Sequence, residues 1–134
     1  MATKPQDKAS ITRLSSGGLY EQRVGYCRAV VAGGFVHVAG TTAQGADIPG
    51  DVIGQCQSAL EAIEAALTRA GSSMSQVVRV VYYLPRAADF EACWPTLAAA
   101  FGAHPPAGTM IECGLIDPRY KIEIEVTALA PSGG

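Results

Sequence analysis

Between Lys121 and Ala128 the chain alternates strictly. Ile122, Ile124, Val126 and Ala128 interleave with Lys121, Glu123, Glu125 and Thr127. A period of two puts the first set on one face of a sheet and the second on the other. This strand closes a stretch, His104 to Ala130, whose first half also reads as a strand and carries Glu112 among Met110, Ile111 and Cys113. A short turn is expected to join the two. Earlier, Ile11 to Ser16 is a short β-prone segment ending at Gly17-Gly18. Tyr26 to Ala32 and Phe35 to Thr42 are β-rich runs separated only by Gly33-Gly34, which predicts a tight hairpin with a primed turn. Within the second run, Phe35, His37 and Ala39 fall on one face and Val36, Val38 and Gly40 on the other.

The period changes after a loop at 44–50. From Asp51 to about Ala70, apolar residues recur at Val52/Ile53, Cys56, Leu60, Ile63 and Leu67, the spacing of a helix lying on a sheet. Gln55, Ser58, Glu61 and Arg69 fall on its other face, with Glu64 near the margin. Asp51 suits the positive end of the helix dipole and Gly71 the C-terminal stop. Val77 to Leu84 is almost continuously apolar, as in an interior strand, and Pro85 ends it. Asp89 to Gly102 predicts a second helix with Phe90, Trp94, Leu97 and Phe101 on one side; Pro95 inside it costs a backbone bond. The predicted order is β-β-β-α-β-α-β-β. Two helices cannot cover both faces of about six strands, so both are placed on one face and the other is left bare.

Composition sharpens that picture. The 134 residues form a single domain, 1–134, with 1–9 and 131–134 expected as loose ends. Hydrophobic residues make up 49% and charged residues 16%, below the quarter or so of an ordinary soluble domain. A bare sheet face in a chain this poor in charge points to assembly with other copies. Ten Lys+Arg, scattered and offset by 12 Asp+Glu, give a net charge of -2, which argues against nucleic acid as a partner. Cys27, Cys56, Cys93 and Cys113 are far apart with no His at ligand spacing, and read as thiols in a reducing compartment with no metal site. His37, with no nucleophile near it in sequence, reads as a packed or edge residue. Residues 1–10 lack the apolar core of a secretory signal, and no apolar run is long enough to span a membrane, so a cytoplasmic protein is expected.

Particular residues in this order resemble the RidA/YjgF family of imine/enamine deaminases, often labelled endoribonuclease L-PSP. They are Gly25-Tyr26 followed by Arg28-Ala29-Val30, then Val36-His-Val-Ala-Gly40, the helix from Gln55 to Gly71, Val77-Val78 with Tyr82 and Leu84, and Asp89-Phe90. Pro106-Ala107 and the closing Lys121-Ile-Glu-Ile-Glu-Val-Thr-Ala are the most diagnostic. The resemblance implies a chorismate-mutase-like α+β fold and a homotrimer whose sheets form a central barrel. It also implies small-molecule clefts between subunits and no metal or organic cofactor. Carried over by position, it assigns Glu123 to orienting the water that attacks an imine carbon. Tyr26, Ala39, Gly40, Thr41, Trp94, Ala107, Gly108 and Thr109 are assigned to the walls of the cleft, with Met110 beside them.

The chain departs from the family where an arginine should follow Pro106-Ala107 and grip the substrate carboxylate: Gly108 stands there. Ala39 replaces a serine and Trp94 an asparagine. A guanidinium supplies a bidentate, charge-assisted grip, whereas glycine supplies only a backbone N–H. Two readings follow. One is cofactor-free hydrolysis or tautomerisation of an imine or enamine by Glu123 and water, shifted toward neutral or larger ligands unless Arg28 or Arg119 replaces the lost cation. The other is a non-catalytic trimer that binds a small metabolite or plays a regulatory role through the same cleft.

Overall fold

The structure, a computed structural model, describes residues 10–131. The expected loose ends at 1–9 and 132–134 lie outside the described residues. Pro131, which was expected in the second of them, instead packs beside Gly71. Six strands form one sheet: β1 (Ile11–Leu14), β2 (Ala29–Ala32), β3 (Phe35–Thr41), β4 (Val77–Leu84), β5 (Ala107–Glu112) and β6 (Glu123–Leu129). Among the described residues three α-helices accompany them: α1 (Leu19–Val24), α2 (Val52–Arg69) and α3 (Phe90–Phe101). The α+β class, the six strands and the two main helices match the sequence reading.

Two local expectations hold with their reasons. Gly33 and Gly34 both have positive φ (59° and 86°), so β2 and β3 form the tight hairpin that only such a turn closes. Gly71, at φ +80°, ends α2, with the Ser72 N–H reaching back to the Leu67 carbonyl at 2.8 Å. α1 was not expected, because its apolar residues Leu19, Tyr20 and Val24 are all exposed and form no stripe. A buried carboxylate holds it instead. Glu21 accepts the Ser16 N–H (3.1 Å), the Ser16 hydroxyl and the Gly18 N–H (3.0 Å).

The largest correction concerns the last two strands. The sheet order is β1-β2-β3-β6-β4-β5, so β5 and β6 are not neighbours joined by a short turn. β5 pairs parallel to β4 on the sheet edge, and β6 inserts antiparallel between β3 and β4. Alternation assigns a strand its faces, not its neighbours. A parallel β4–β5 pair needs a crossover, which α3 supplies. Residues 113–122 then carry the chain back across the sheet end.

The core lies between the sheet and α2/α3. Cys56, Ile63 and Leu67 of α2 and Cys93 and Leu97 of α3 pack on Val36, Val38, Val80, Ile124 and Val126. Each fully buried aliphatic side chain contributes about 1.5–3 kcal/mol. The face of α3 differs from expectation, since Trp94 is exposed and Cys93 takes the buried position. Gln55, expected on the solvent face of α2, is buried. Its amide donates to the carbonyls of Pro49 (2.8 Å) and Arg119 (2.9 Å), and its oxygen accepts the Lys121 N–H at 2.7 Å. That side chain locks the chain just before β6. The other sheet face is open and carries exposed Phe35, His37 and Glu125, while every residue of β5 is exposed. No helix among the described residues is long and apolar enough to cross a membrane.

Candidate functional site

The site is built around an irregularity in β3. Val38 pairs with Val126 and Thr41 with Ile124, so three steps along β3 match two along β6, and one residue is extra. This β-bulge reverses the side-chain parity expected for β3. Thr41 returns to the core and is fully buried. Gly40, expected on the face of Val36 and Val38, instead turns toward Glu123 on the open face. Three contacts hold the bulge: the Thr41 hydroxyl donates to the Ala39 carbonyl (2.7 Å), the Ala39 N–H donates to the Arg28 carbonyl (2.9 Å), and Arg28 Nη2 donates to the Gly40 carbonyl (3.1 Å).

Glu123 opens β6 and lies over Gly40. A Cβ added at Gly40 would stand 2.2 Å from Glu123 Oε2, so only glycine leaves room for the carboxyl there. Burial pushes the Glu123 carboxyl above its ordinary range, the neighbouring Glu125 charge pushes it further, and Arg28 partly opposes both. Opposite Glu123 on β4 stands Tyr83, whose hydroxyl donates to Glu125 at 2.8 Å. That bond, with burial and the nearby carboxylate charges, raises the Tyr83 phenol and keeps it protonated. A cleft of about 370 Å³ opens here, floored by Gly40, Tyr83, Glu123 and Glu125 and walled by residues 113–116. Ile116 on that wall is 93% exposed, an apolar side chain with nothing of its own chain over it.

The expected site residues fall into two groups. Gly40 and Glu123 come together in the cleft, Ala39 stands beside Gly40 in the bulge, Thr41 lies in the core, and Tyr26 connects to them through Arg28. Arg28 lies over the Tyr26 ring, 5.9 Å from its centroid. Ala107, Gly108 and Thr109 lie elsewhere, on the edge strand β5, and Trp94 lies on α3. A Cβ at Gly108 would meet Val80 Cγ1 at 3.6 Å, and Val80 belongs to the core, so Gly108 turns toward the helix side. There Trp94 stands edge-on to Phe90 (6.4 Å, 87°), which leans on Tyr82 (5.1 Å). β4 separates this group from β6, so a single chain does not bring Gly108 and Glu123 into one pocket.

The remaining candidates are placed as follows. Glu112 accepts the Ala87 N–H at 2.7 Å and serves the β4–α3 corner. His37 faces Phe35, with ring centroids 6.2 Å apart. Cys113 lines the Glu123 cleft, whereas Cys56 and Cys93 are core residues; the bond with Cys93 and burial push the Cys56 thiol far up, which disqualifies it as a nucleophile. Arg119 is clasped by Asp117 at 2.9 Å beside a second cleft, of about 500 Å³, formed by 46–50 with Pro118, Arg119 and Lys121. Sequence reasoning missed Tyr83 and the burial of Gln55. Nothing in a run of apolar residues distinguishes a tyrosine whose hydroxyl meets a carboxylate on the next strand.

The family profile described as endoribonuclease L-PSP matches residues 20–130. The chain belongs to the RidA/YjgF family. A RutC family protein of Pyrococcus horikoshii is 34% identical over 107 residues, covering 77% of this chain and 85% of that one. An uncharacterized protein of Streptomyces coelicolor is 32% identical over 123 residues, covering 89% and 92%. Among solved structures, a member of the YjgF/YER057c/UK114 family from Mycobacterium tuberculosis superposes with a TM-score of 0.84 at 39% identity, covering 90% of this chain and all of that one. In this RidA/YjgF chain the bulge at Gly40 and the carboxyl of Glu123 meet in one cleft.

Proposed function

We propose that this RidA/YjgF protein hydrolyses imines or enamines of small molecules without a cofactor, with Glu123 as the group that handles water. One observation carries the reading. Glu123 is half-buried, holds its carboxyl over a glycine in an open cleft, and has its proton affinity raised by burial and by Glu125. A carboxyl in that condition orients a water and accepts its proton as oxygen attacks the imine carbon. Returning the proton to nitrogen lets ammonia leave, so imine and water become carbonyl compound and ammonia.

We further propose that the cleft is completed by a neighbouring subunit of a homotrimer. The exposed edge of β5, the open sheet face and the bare Ile116 all support this, because unpaired strand edges and apolar faces are normally covered. In that arrangement Trp94, Gly108 and Thr109 of one subunit would approach Glu123 of the next. Four free cysteines fit a cytoplasmic setting. RNA cleavage fits less well, since two carboxylates on the cleft floor repel phosphate.

Gly108 favours a second reading, a trimer that binds a small metabolite without turning it over. A panel of imines, generated from charged and neutral amino acids by an oxidase, separates the two. Faster ammonia release from any of them supports the enzyme, and no acceleration on the whole panel leaves the binding protein. A monomer mass in solution at micromolar concentration overturns the trimer.

A further inference from the structure

We propose that the open sheet face holds a small phosphate dianion over Thr127, between Arg79 of β4 and His37 of β3, at a site separate from the Glu123 cleft. The inference goes beyond the hydrolase reading and does not rest on it.

The strand registers lay the face out in rows. Ile11, Ala32, Phe35 and Leu129 stand side by side across β1, β2, β3 and β6. The next row on the same face is Arg13, Val30, His37, Thr127 and Arg79, running from β1 through to β4. Their chain neighbours Val36, Val38, Val80 and Val126 point into the core, so this row faces outward. Beyond it come Glu125, opposite Val81, and Glu123, opposite Tyr83. The face is therefore banded: apolar, then basic, then acidic.

The chain itself does not neutralise the basic row. Glu125, the nearest carboxylate on β6, accepts the Tyr83 hydroxyl at 2.8 Å, and Tyr83 stands one row further from Thr127. Among the described residues the ion pair within 4 Å is that of Arg119 with Asp117, so neither Arg13, His37 nor Arg79 has one. None of the row lines the Glu123 cleft. Arg79 and His37 are exposed and Thr127 is half-buried between them. Neighbouring strands stand about 4.8 Å apart, so Arg79 and His37 flank Thr127 at about 10 Å from each other. An anion above the Thr127 hydroxyl is within side-chain reach of both. Arg79 supplies a planar fork, His37 an N–H and Thr127 an O–H, and a phosphate dianion has oxygens enough to accept from all three. Arg13 adds a second guanidinium to the local field. Once a neighbouring subunit covers this face, as proposed above, these cations lose water and require a counter-charge.

Titration calorimetry with inorganic phosphate at constant ionic strength tests the site. The wild-type protein is expected to bind phosphate saturably. Arg79→Gln should weaken that binding about tenfold or more, the worth of a charge-assisted bond, and Thr127→Val about threefold. Arg119→Gln, which removes a cation held elsewhere, should leave it unchanged. In thermal unfolding, phosphate should raise the wild-type melting temperature more than sodium chloride of equal ionic strength does, and Arg79→Gln should lose that difference. No saturable binding, binding undiminished in a folded Arg79→Gln protein, or equal shifts with phosphate and chloride would overturn the proposal. Loss of binding in Arg119→Gln in place of Arg79→Gln would do the same. Retention of single-stranded RNA without any binding of inorganic phosphate would overturn it in favour of a nucleic-acid surface. Should Arg79→Gln fail to fold, Thr127→Val decides by the same titration.

Discussion

Gly40 and Glu123 occupy one space: the hydrogen of Gly40 sits where any larger side chain would strike the Glu123 carboxyl, 2.2 Å from Oε2 and 3.1 Å from Cδ. The atoms in the way are the far end of a flexible side chain, so the fold can yield while the site cannot. Gly40→Ala is therefore expected to leave the melting temperature nearly unchanged and to cost about 100-fold in imine hydrolysis, the scale of a 1 Å misplacement of a reacting group. Equal loss of stability and activity would show that Gly40 serves the bulge and not Glu123.

Glu125 and Arg28 act on Glu123 with opposite sign. Glu125→Gln should lower the Glu123 pKa and Arg28→Gln should raise it, as followed by carboxyl carbon NMR. Because folding raises this carboxyl, its protonated form is favoured in the native state, and its stabilising effect is lost as pH rises through the folded pKa. Glu123→Gln should accordingly be more stable than wild type at neutral pH. A wild-type protein that is the more stable of the two there would contradict the electrostatic account.

Glu21 has the opposite linkage. Burial would push it up, but the bonds from the Ser16 hydroxyl and the Ser16 and Gly18 N–H groups outweigh burial and hold it at about 2, from an ordinary value of 4.5. Its contribution is present above the unfolded value and lost as pH falls toward the folded one. The stability difference between wild type and Glu21→Gln should shrink between about pH 4.5 and 2 in acid denaturation curves. A difference that is flat across that range would show the carboxylate is not what holds α1.

Gln55→Leu removes three hydrogen bonds from a buried position and leaves the Lys121 N–H without its partner. A stability loss of about 1–3 kcal/mol is expected in urea unfolding. Since Lys121 lies two residues before Glu123, hydrolysis should fall as well. Activity unchanged at full occupancy of the folded state would show that the latch supports the loop alone.

These residues also mark where the sequence stops being informative. The faces of β6 were legible because period two is a local property, and the hairpin was legible because two glycines permit one kind of turn. The place of β6 between β3 and β4 was not, since pairing depends on contacts distant in the chain. The bulge escaped notice because Ala39-Gly40 keeps the alternation intact on paper while the backbone inserts a residue. Gln55 was misplaced because a polar side chain at the edge of an apolar stripe reads as solvent-facing unless its buried partners are known. Glu123 and Gly40 were identified through family resemblance; only the structure shows why one requires the other. Arg28 was visible as a cation, but its nearness to Glu123 depends on β2, β3 and β6 lying side by side.

The central claim is that Glu123 activates water in this cleft. Its most direct test is ammonia release from an oxidase-generated imine, comparing wild type with Glu123→Gln, which preserves shape and removes the base. A loss of about 100- to 10,000-fold with native melting behaviour is the predicted result. Equal rates in the two proteins would contradict it.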